Sequence, residues 1–228
     1  MGRSSAISME ARYRQDYPGE FVITEIKFSG GKKHEKRQWI ANPIVNQHIS
    51  GRAAAIGSSD DQERFDYRIL EKHCGGLLGS LKLQTYSTAN IAQIMRLDFT
   101  VDTDYNKLQS LIESNYAENN MVYTTAKNFT KNLGKFYLIP QYPHVCTEAL
   151  PIYLAAFDGH KEIFLIGYSK ETSTGYDNWI KQITDIITAY AGTMFFIVGN
   201  EFNMPPEWLS CPNTKTLTNR DFITYCDV

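Results

Sequence analysis

Residues 147–169 read TEALPIYLAAFDGHKEIFLIGYS, and this stretch decides the fold. Pro151 suits the first turn of a helix running to about Asp158, because the N–H it lacks is one that a helix start leaves unpaired anyway. Gly159 then supplies the stop. Residues 161–168 (KEIFLIGY) follow as a continuous run of the kind read in a strand buried on both faces. Such a strand needs helices above and below it. Residues 176–190 place Trp179, Ile180, Ile183, Ile186, Ile187 and Tyr190 at helical spacing, and residues 194–199 (MFFIVG) form another buried strand.

Upstream the alternation continues. Residues 52–57 (RAAAIG) read as a strand, 65–73 as a helix-period segment, 76–83 (GLLGSLKL) as a strand and 95–101 (MRLDFTV) as another. Residues 104–115 follow as a helix with Leu108, Leu111 and Ile112 on one face, then 121–125 (MVYTT) and 135–140 (KFYLIP) as short strands. Strands alternating with helices predict an α/β fold, a single Rossmann-like, doubly wound and mainly parallel sheet with right-handed connections. Ahead of it, residues 21–28 (FVITEIKF) alternate as a half-buried strand, and Gly30-Gly31 turns the chain. We therefore expect a basic N-terminal extension with a β-hairpin over residues 1–51 and a Rossmann-like domain over 52–228.

The composition agrees with one core. The chain has 228 residues and a mass of 26.0 kDa, with 43% hydrophobic and 21% charged residues and a mean hydropathy of -0.35. Those values exclude disordered, collagenous and disulfide-scaffold classes. No apolar run approaches the roughly 18 residues of a membrane span and no signal-peptide block opens the chain, so the expectation is a cytoplasmic protein with no membrane partner. Cys74, Cys146, Cys211 and Cys226 lack CxxC spacing and are expected to be free thiols. The net charge of -2 is uneven. Residues 1–52 hold nine basic and five acidic residues, giving +4, and the remainder gives -6. Lys32, Lys33, Lys36 and Arg37 concentrate the excess, either as a phosphate-attracting edge or as a solvated hairpin tip.

In an open parallel sheet, ligands bind beyond the carboxyl ends of the strands, near the point where strand order reverses. The residues following the expected strands are Gly57-Ser58-Ser59, Gln84-Thr85-Tyr86, Asp102, Thr124-Thr125 with Lys127-Asn128, Gln141-Tyr142 with His144, Tyr168-Ser169-Lys170 and Asn200. Hydroxyls, amides and phenols of this kind suit a sugar and a nucleotide. The chain has no GxxxxGK[ST], no GxGxxG after the first strand, no GxSxG and no zinc-deaminase signature, which disfavours P-loop, dinucleotide-binding, α/β-hydrolase and deaminase chemistry.

Two segments carry a family resemblance. RAAAIGSSDDQERFDYRIL (residues 52–70) resembles the opening strand, glycine loop and helix of bacterial sialyltransferases and related motility-associated glycosyltransferases. TEALPIYLAAFDGHKEIFLIGYS resembles their later nucleotide-binding unit, and the two blocks span 42 of the 228 residues. The resemblance implies a nucleotide-sugar donor held at Gly57 and Ser58 on one side and at Thr147 on the other; Ser59, Thr125, Tyr168 and Ser169 join the donor candidates from their places after the expected strands. Where that family has a small residue after the Thr147 position this chain has Glu148, and where it ends the later strand with an acid this chain has Ser169. No histidine follows His160, so the family's general base does not carry over. More loosely, the whole chain, including its closing NRDFITYCDV, resembles small glycosyltransferases of T-even-type bacteriophages, which implies hydroxymethylcytosine in DNA as the acceptor and the block at Lys32 to Arg37 as a phosphate contact.

Glycosyl transfer needs a base for the acceptor hydroxyl and donors for the leaving phosphate. His144 and Glu148 are the leading base candidates; Asp98, on the opposite strand face from Leu97 and Phe99, is a third catalytic candidate, or else a buried, paired carboxylate or a sheet-edge residue. A UDP-sugar is the favoured donor, with no covalent cofactor. Asp102-Thr103-Asp104 reads either as a DxD holding a divalent metal or as a strand end followed by a helix cap at Asp104, and capping together with the resemblance favours no metal. Two other functions stay open: a non-catalytic nucleotide- or nucleic-acid-binding protein, and a Mg-dependent DNA-processing enzyme using Asp98, Asp102 and Asp104.

Overall fold

A computed structural model describes residues 10–12, 22–27, 37–42, 50–58, 66, 68–71, 82–132, 134–168, 177–200 and 203–228. Contacts divide the chain into two compact units, Met1–Gln47 and His48–Val228. The first unit is an antiparallel sheet of β1 (Glu10–Arg12), β2 (Val22–Lys27) and β3 (Arg37–Asn42), in that order. The pair β2–β3, with Val22 opposite Asn42 and Lys27 opposite Arg37, is the expected hairpin, and β1 adds a strand that the alternation did not mark. Arg37 opens β3, whereas Lys32, Lys33 and Lys36 lie outside the described residues.

The second unit is an all-parallel eight-stranded sheet with helices on both faces, a Rossmann-like α/β arrangement. Its strands are β4 (Arg52–Ile56), β5 (Gln84–Ser87), β6 (Phe99–Val101), β7 (Met121–Thr124), β8 (Tyr137–Leu138), β9 (Glu162–Ile166), β10 (Met194–Val198) and β11 (Thr214–Leu217). They lie in the order β11-β10-β9-β4-β5-β6-β7-β8. From β4 the chain steps outward to β8 and then crosses back to β9 on the other side of β4. Strand order thus reverses between β4 and β9, and that junction positions the site.

The helices are α1 (Arg68–Glu71), α2 (Ala89–Ala92), α3 (Tyr105–Glu113), α4 (Tyr116–Asn119), α5 (Ala126–Phe129), α6 (Leu150–Asp158), α7 (Asp177–Ala189), α8 (Pro206–Leu209) and α9 (Asn219–Cys226). The reversal is made by α6, which has Pro151 in its first turn and ends at Gly159 with φ +94°. Successive strand residues point to opposite faces, so β9 shows both layers. Ile163 and Leu165 join the core with Trp179, Ile183, Ile186 and Ile187 of α7. Phe164, between them, stacks on Phe196 at 4.9 Å and meets Phe222 of α9 at 5.1 Å, so α9 covers the other face.

One strand lies elsewhere than the sequence pattern predicts. Residues 82–83 fall outside any strand, and β5 occupies Gln84–Ser87 instead. Three of its four polar side chains are paired where they are buried: the Thr85 hydroxyl bonds to Asp98, Tyr86 to Asp158 and Ser87 to the Ile56 carbonyl, whereas the buried Gln84 Oε1 has no hydrogen-bond partner among the described residues. Gln84, Thr85 and Tyr86 are therefore strand residues, not a loop at the ligand edge. No helix among the described residues is long and apolar enough to cross a membrane. Cys146, Cys211 and Cys226 are free thiols, and Cys74 lies outside the described residues.

Candidate functional site

The carboxyl ends of β4 and β9 meet at two glycines. Gly57 N–H donates to the Ile166 carbonyl at 2.7 Å, and a methyl group at Gly57 would stand 2.4 Å from the Gly167 carbonyl oxygen. Only a residue without a Cβ lets the two backbones approach so closely. Gly167 also has a left-handed backbone at φ +72°. Ser58 is exposed directly above Gly57, while Ser59 and Ser169 lie outside the described residues. Tyr168 follows Gly167, is 6% exposed, and donates its hydroxyl to the Glu148 carbonyl at 3.1 Å. The β9 end is thereby tied to the turn that starts α6.

The ends of β6 and β7 form the next part of the same edge. Asp102 is fully buried, and its two oxygens accept from Ala89 N–H at 3.1 Å and Asp104 N–H at 2.8 Å. Burial pushes this carboxyl up, against the opposing pull of those amides and of the Lys107 charge. Asp104 caps α3 by accepting from Asn106 N–H at 2.8 Å. Both acids of the DxD are thus engaged in starting helices, the role that capping assigns to Asp104. Among the described residues no cluster of three or more His, Cys, Asp or Glu side chains is arranged for a metal ion. Between them Thr103 reaches across the edge, its hydroxyl 2.6 Å from that of Thr147. Asn128 holds the Thr103 carbonyl at 2.8 Å, and Thr125 is half-buried beside it at the start of α5.

The third part is the loop from Pro140 to the 3-10 turn Thr147–Ala149. Tyr153 donates to the carbonyls of Pro140 and Gln141, and Gln182 of α7 accepts from Cys146 N–H at 2.6 Å. Each end of the loop is fastened. Between the fastenings His144 is exposed and Tyr142 half-buried, and Glu148 is exposed at the far end. Burial pushes the Cys146 thiol up and the neighbouring Glu148 charge adds to this, so the thiol stays protonated at neutral pH. The structure therefore gathers Gly57, Ser58, Thr125, His144, Thr147, Glu148 and Tyr168 along the carboxyl edge.

Asp98 does not join them. It precedes β6 at the amino end of the sheet, about 13 Å along the strand from Asp102. There it is 1% exposed and accepts from Thr85 N–H at 2.8 Å and from the Thr85 hydroxyl at 3.0 Å. Its carboxylate clips β5 to β6, which is a structural duty remote from the ligand edge. Arg37, in β3, belongs to the first unit.

Sequence reasoning missed a buried polar network. The Tyr86 hydroxyl donates to Asp158 at 2.6 Å and lies 2.9 Å from His160 Nε2, with both Tyr86 and His160 fully buried. Burial and the Asp158 charge hold the phenol well above its ordinary range. The network joins β5 to the end of α6 and the approach to β9. No spacing marks it, because its members are 72 and 74 residues apart. The protein-family models, curated proteins and solved structures with which the chain was compared contain no match to it.

Proposed function

We propose that this chain is a nucleotide-sugar-dependent glycosyltransferase acting on a hydroxyl acceptor. The observation that carries the reading is the place of the two resembling blocks: residues 52–70 and 147–169, distant in sequence, supply the adjacent strands β4 and β9 and so the glycine-lined point where strand order reverses. In open α/β sheets that point is where nucleotides bind. We assign Gly57 and Ser58 to the donor phosphate and ribose, with the hydroxyls of Thr125 and Thr147 along the same edge and Tyr168 holding the turn before α6; Ser59 and Ser169, outside the described residues, stay donor candidates by sequence. The acceptor oxygen would attack the anomeric carbon, the bond from that carbon to the phosphate oxygen would break, and the acceptor proton would pass to His144 or Glu148. Because Asp102 and Asp104 already serve backbone amides, the leaving phosphate is assigned to amide and hydroxyl donors. The favoured donor is a UDP-sugar, and the favoured acceptor is a base hydroxyl in DNA, as in phage hydroxymethylcytosine.

A thermal-shift panel of UDP-, CMP-, GDP- and TDP-sugars tests this. A true donor at 100 times its dissociation constant adds about 2.7 kcal/mol to stability. The reading fails if none shifts the melting temperature. Where one does, His144→Ala or Glu148→Ala should lower labelled-sugar transfer by about 10²- to 10⁴-fold if that residue is the base.

A non-catalytic nucleotide- or nucleic-acid-binding protein is the second reading. It is favoured by the setting of His144, whose ring meets Tyr142 and has no carboxylate partner among the described residues. Slow hydrolysis of the bound donor would support the transferase, and binding without turnover would support the second reading.

A further inference from the structure

The loop between β8 and α6 is held in a strained shape by contacts at both of its ends. Gln141 and His144 both have left-handed backbones, with φ +41° and +56°. The other non-glycine residues of this kind among those described are Asn115 and Asp227, whose short polar side chains tolerate it. A glutamine has no such excuse. The conformation persists because Tyr153 holds the carbonyls of Pro140 and Gln141, Gln182 holds the amide of Cys146, and Thr103 meets Thr147. Strain that is over-determined by its surroundings commonly marks a ligand-facing segment.

What this loop presents is a pair of rings. Tyr142 and His144 lie with centroids 4.7 Å apart and planes at 58°, with the half-buried Tyr142 packed against the core and His144 exposed beside it. The strain lies at Gln141, because histidine, like Asn and Asp, enters the left-handed region more readily. Resting on the assignment of the carboxyl edge as the substrate site, we propose that Tyr142 and His144 form a shelf on which a planar nucleobase of a substrate stacks. The base could come from the donor nucleotide or from a nucleic-acid acceptor, and the same rings would serve either.

The test measures dissociation constants of the full chain and of Tyr142→Ala, Tyr142→Phe and His144→Ala for three probes. These are ribose 5-phosphate, the nucleotides UMP and CMP, and a short single-stranded oligodeoxynucleotide containing 5-hydroxymethylcytosine. Base stacking lost to alanine weakens binding by roughly tenfold or more. We expect that loss in Tyr142→Ala for one base-bearing probe, retention in Tyr142→Phe, and no change for ribose 5-phosphate. Loss confined to UMP or CMP places the donor base on the shelf, and loss confined to the oligonucleotide places the acceptor base there. The shelf is overturned if Tyr142→Ala and His144→Ala, melting as the parent does, bind every base-bearing probe as tightly as the parent, or if the parent binds none. An equal-affinity result with an intact nucleotide-sugar shift refutes the shelf alone. Base-dependent binding without any nucleotide-sugar shift refutes the transferase and leaves the shelf standing.

Discussion

At the scale of single residues, Gly57 is the position on which the site depends most. A Cβ there would stand 2.4 Å from the Gly167 carbonyl oxygen and 3.2 Å from the Tyr168 ring, and the first of these is backbone that cannot swing aside. Gly57→Ala should therefore force the ends of β4 and β9 apart. Overpacking of this kind costs typically 1–3 kcal/mol, and urea unfolding should show it. The same variant should lose its thermal shift with any donor. An alanine variant with parental stability would mean that the two strand ends are not locked together. The candidate residues differ in how visible they were beforehand. A glycine followed by two hydroxyls after a buried strand could be marked from sequence, as could His144 and Glu148. Asp98 is legible as a buried, paired carboxylate because it interrupts an apolar strand, and its partner is Thr85. The Tyr86–Asp158–His160 network escaped because only the fold brings those three residues together.

At the scale of elements, legibility followed apolarity. The strands β4, β9 and β10 and the helices α6 and α7 bury continuous apolar residues, and pattern alone located them to within a residue or two at most ends. The polar strands β5 (QTYS) and β11 (TKTL) carry no apolar signal, the first because Thr85, Tyr86 and Ser87 find polar partners inside the sheet and the second because it is an edge. The final helix, α9, went unread for the same reason: one buried phenylalanine does most of its packing. Phe222 is fully buried against Phe164, whereas the exposed ring of Tyr225 leans on Phe196 and donates to Glu162, which also pairs with Arg52. Partly exposed ion pairs of that sort contribute about 1 kcal/mol or less, so Phe222→Ala, at about 3–5 kcal/mol, should detach α9 where Arg52→Ala does not. Cys226 reports on it. Burial pushes that thiol up to about 12, so the native protein should resist alkylation at pH 8 and Phe222→Ala should react quickly. Because the folded value lies above the unfolded one, the thiol's contribution to stability is complete below about pH 9 and falls away as pH rises toward 12. Rapid labelling of Cys226 in the parent would contradict this packing.

At the scale of the whole molecule, the division of charge and the division of structure bear on the same question. The +4 carried by residues 1–52 belongs mostly to the first unit, and the acidic excess belongs to the second, which contains the complete eight-stranded sheet and every described candidate donor contact. If DNA is the acceptor, the basic residues of the first unit should supply phosphate contacts. Removing residues 1–47 should then separate two properties. The remaining sheet keeps both of its covered faces, so cooperative unfolding and the thermal shift with donor should persist. Binding to duplex DNA should fall, and so should its dependence on salt. Each phosphate contact contributes about 0.9 to the slope of log K against log salt, so loss of Lys32, Lys33, Lys36 and Arg37 should flatten that slope by up to about 3.6. Measuring DNA affinity between roughly 50 and 200 mM salt, the range over which such contacts dominate, gives the decision. An unchanged slope in the shortened chain would move the nucleic-acid contact off the basic hairpin, and an absent slope in the full chain would remove DNA as the acceptor.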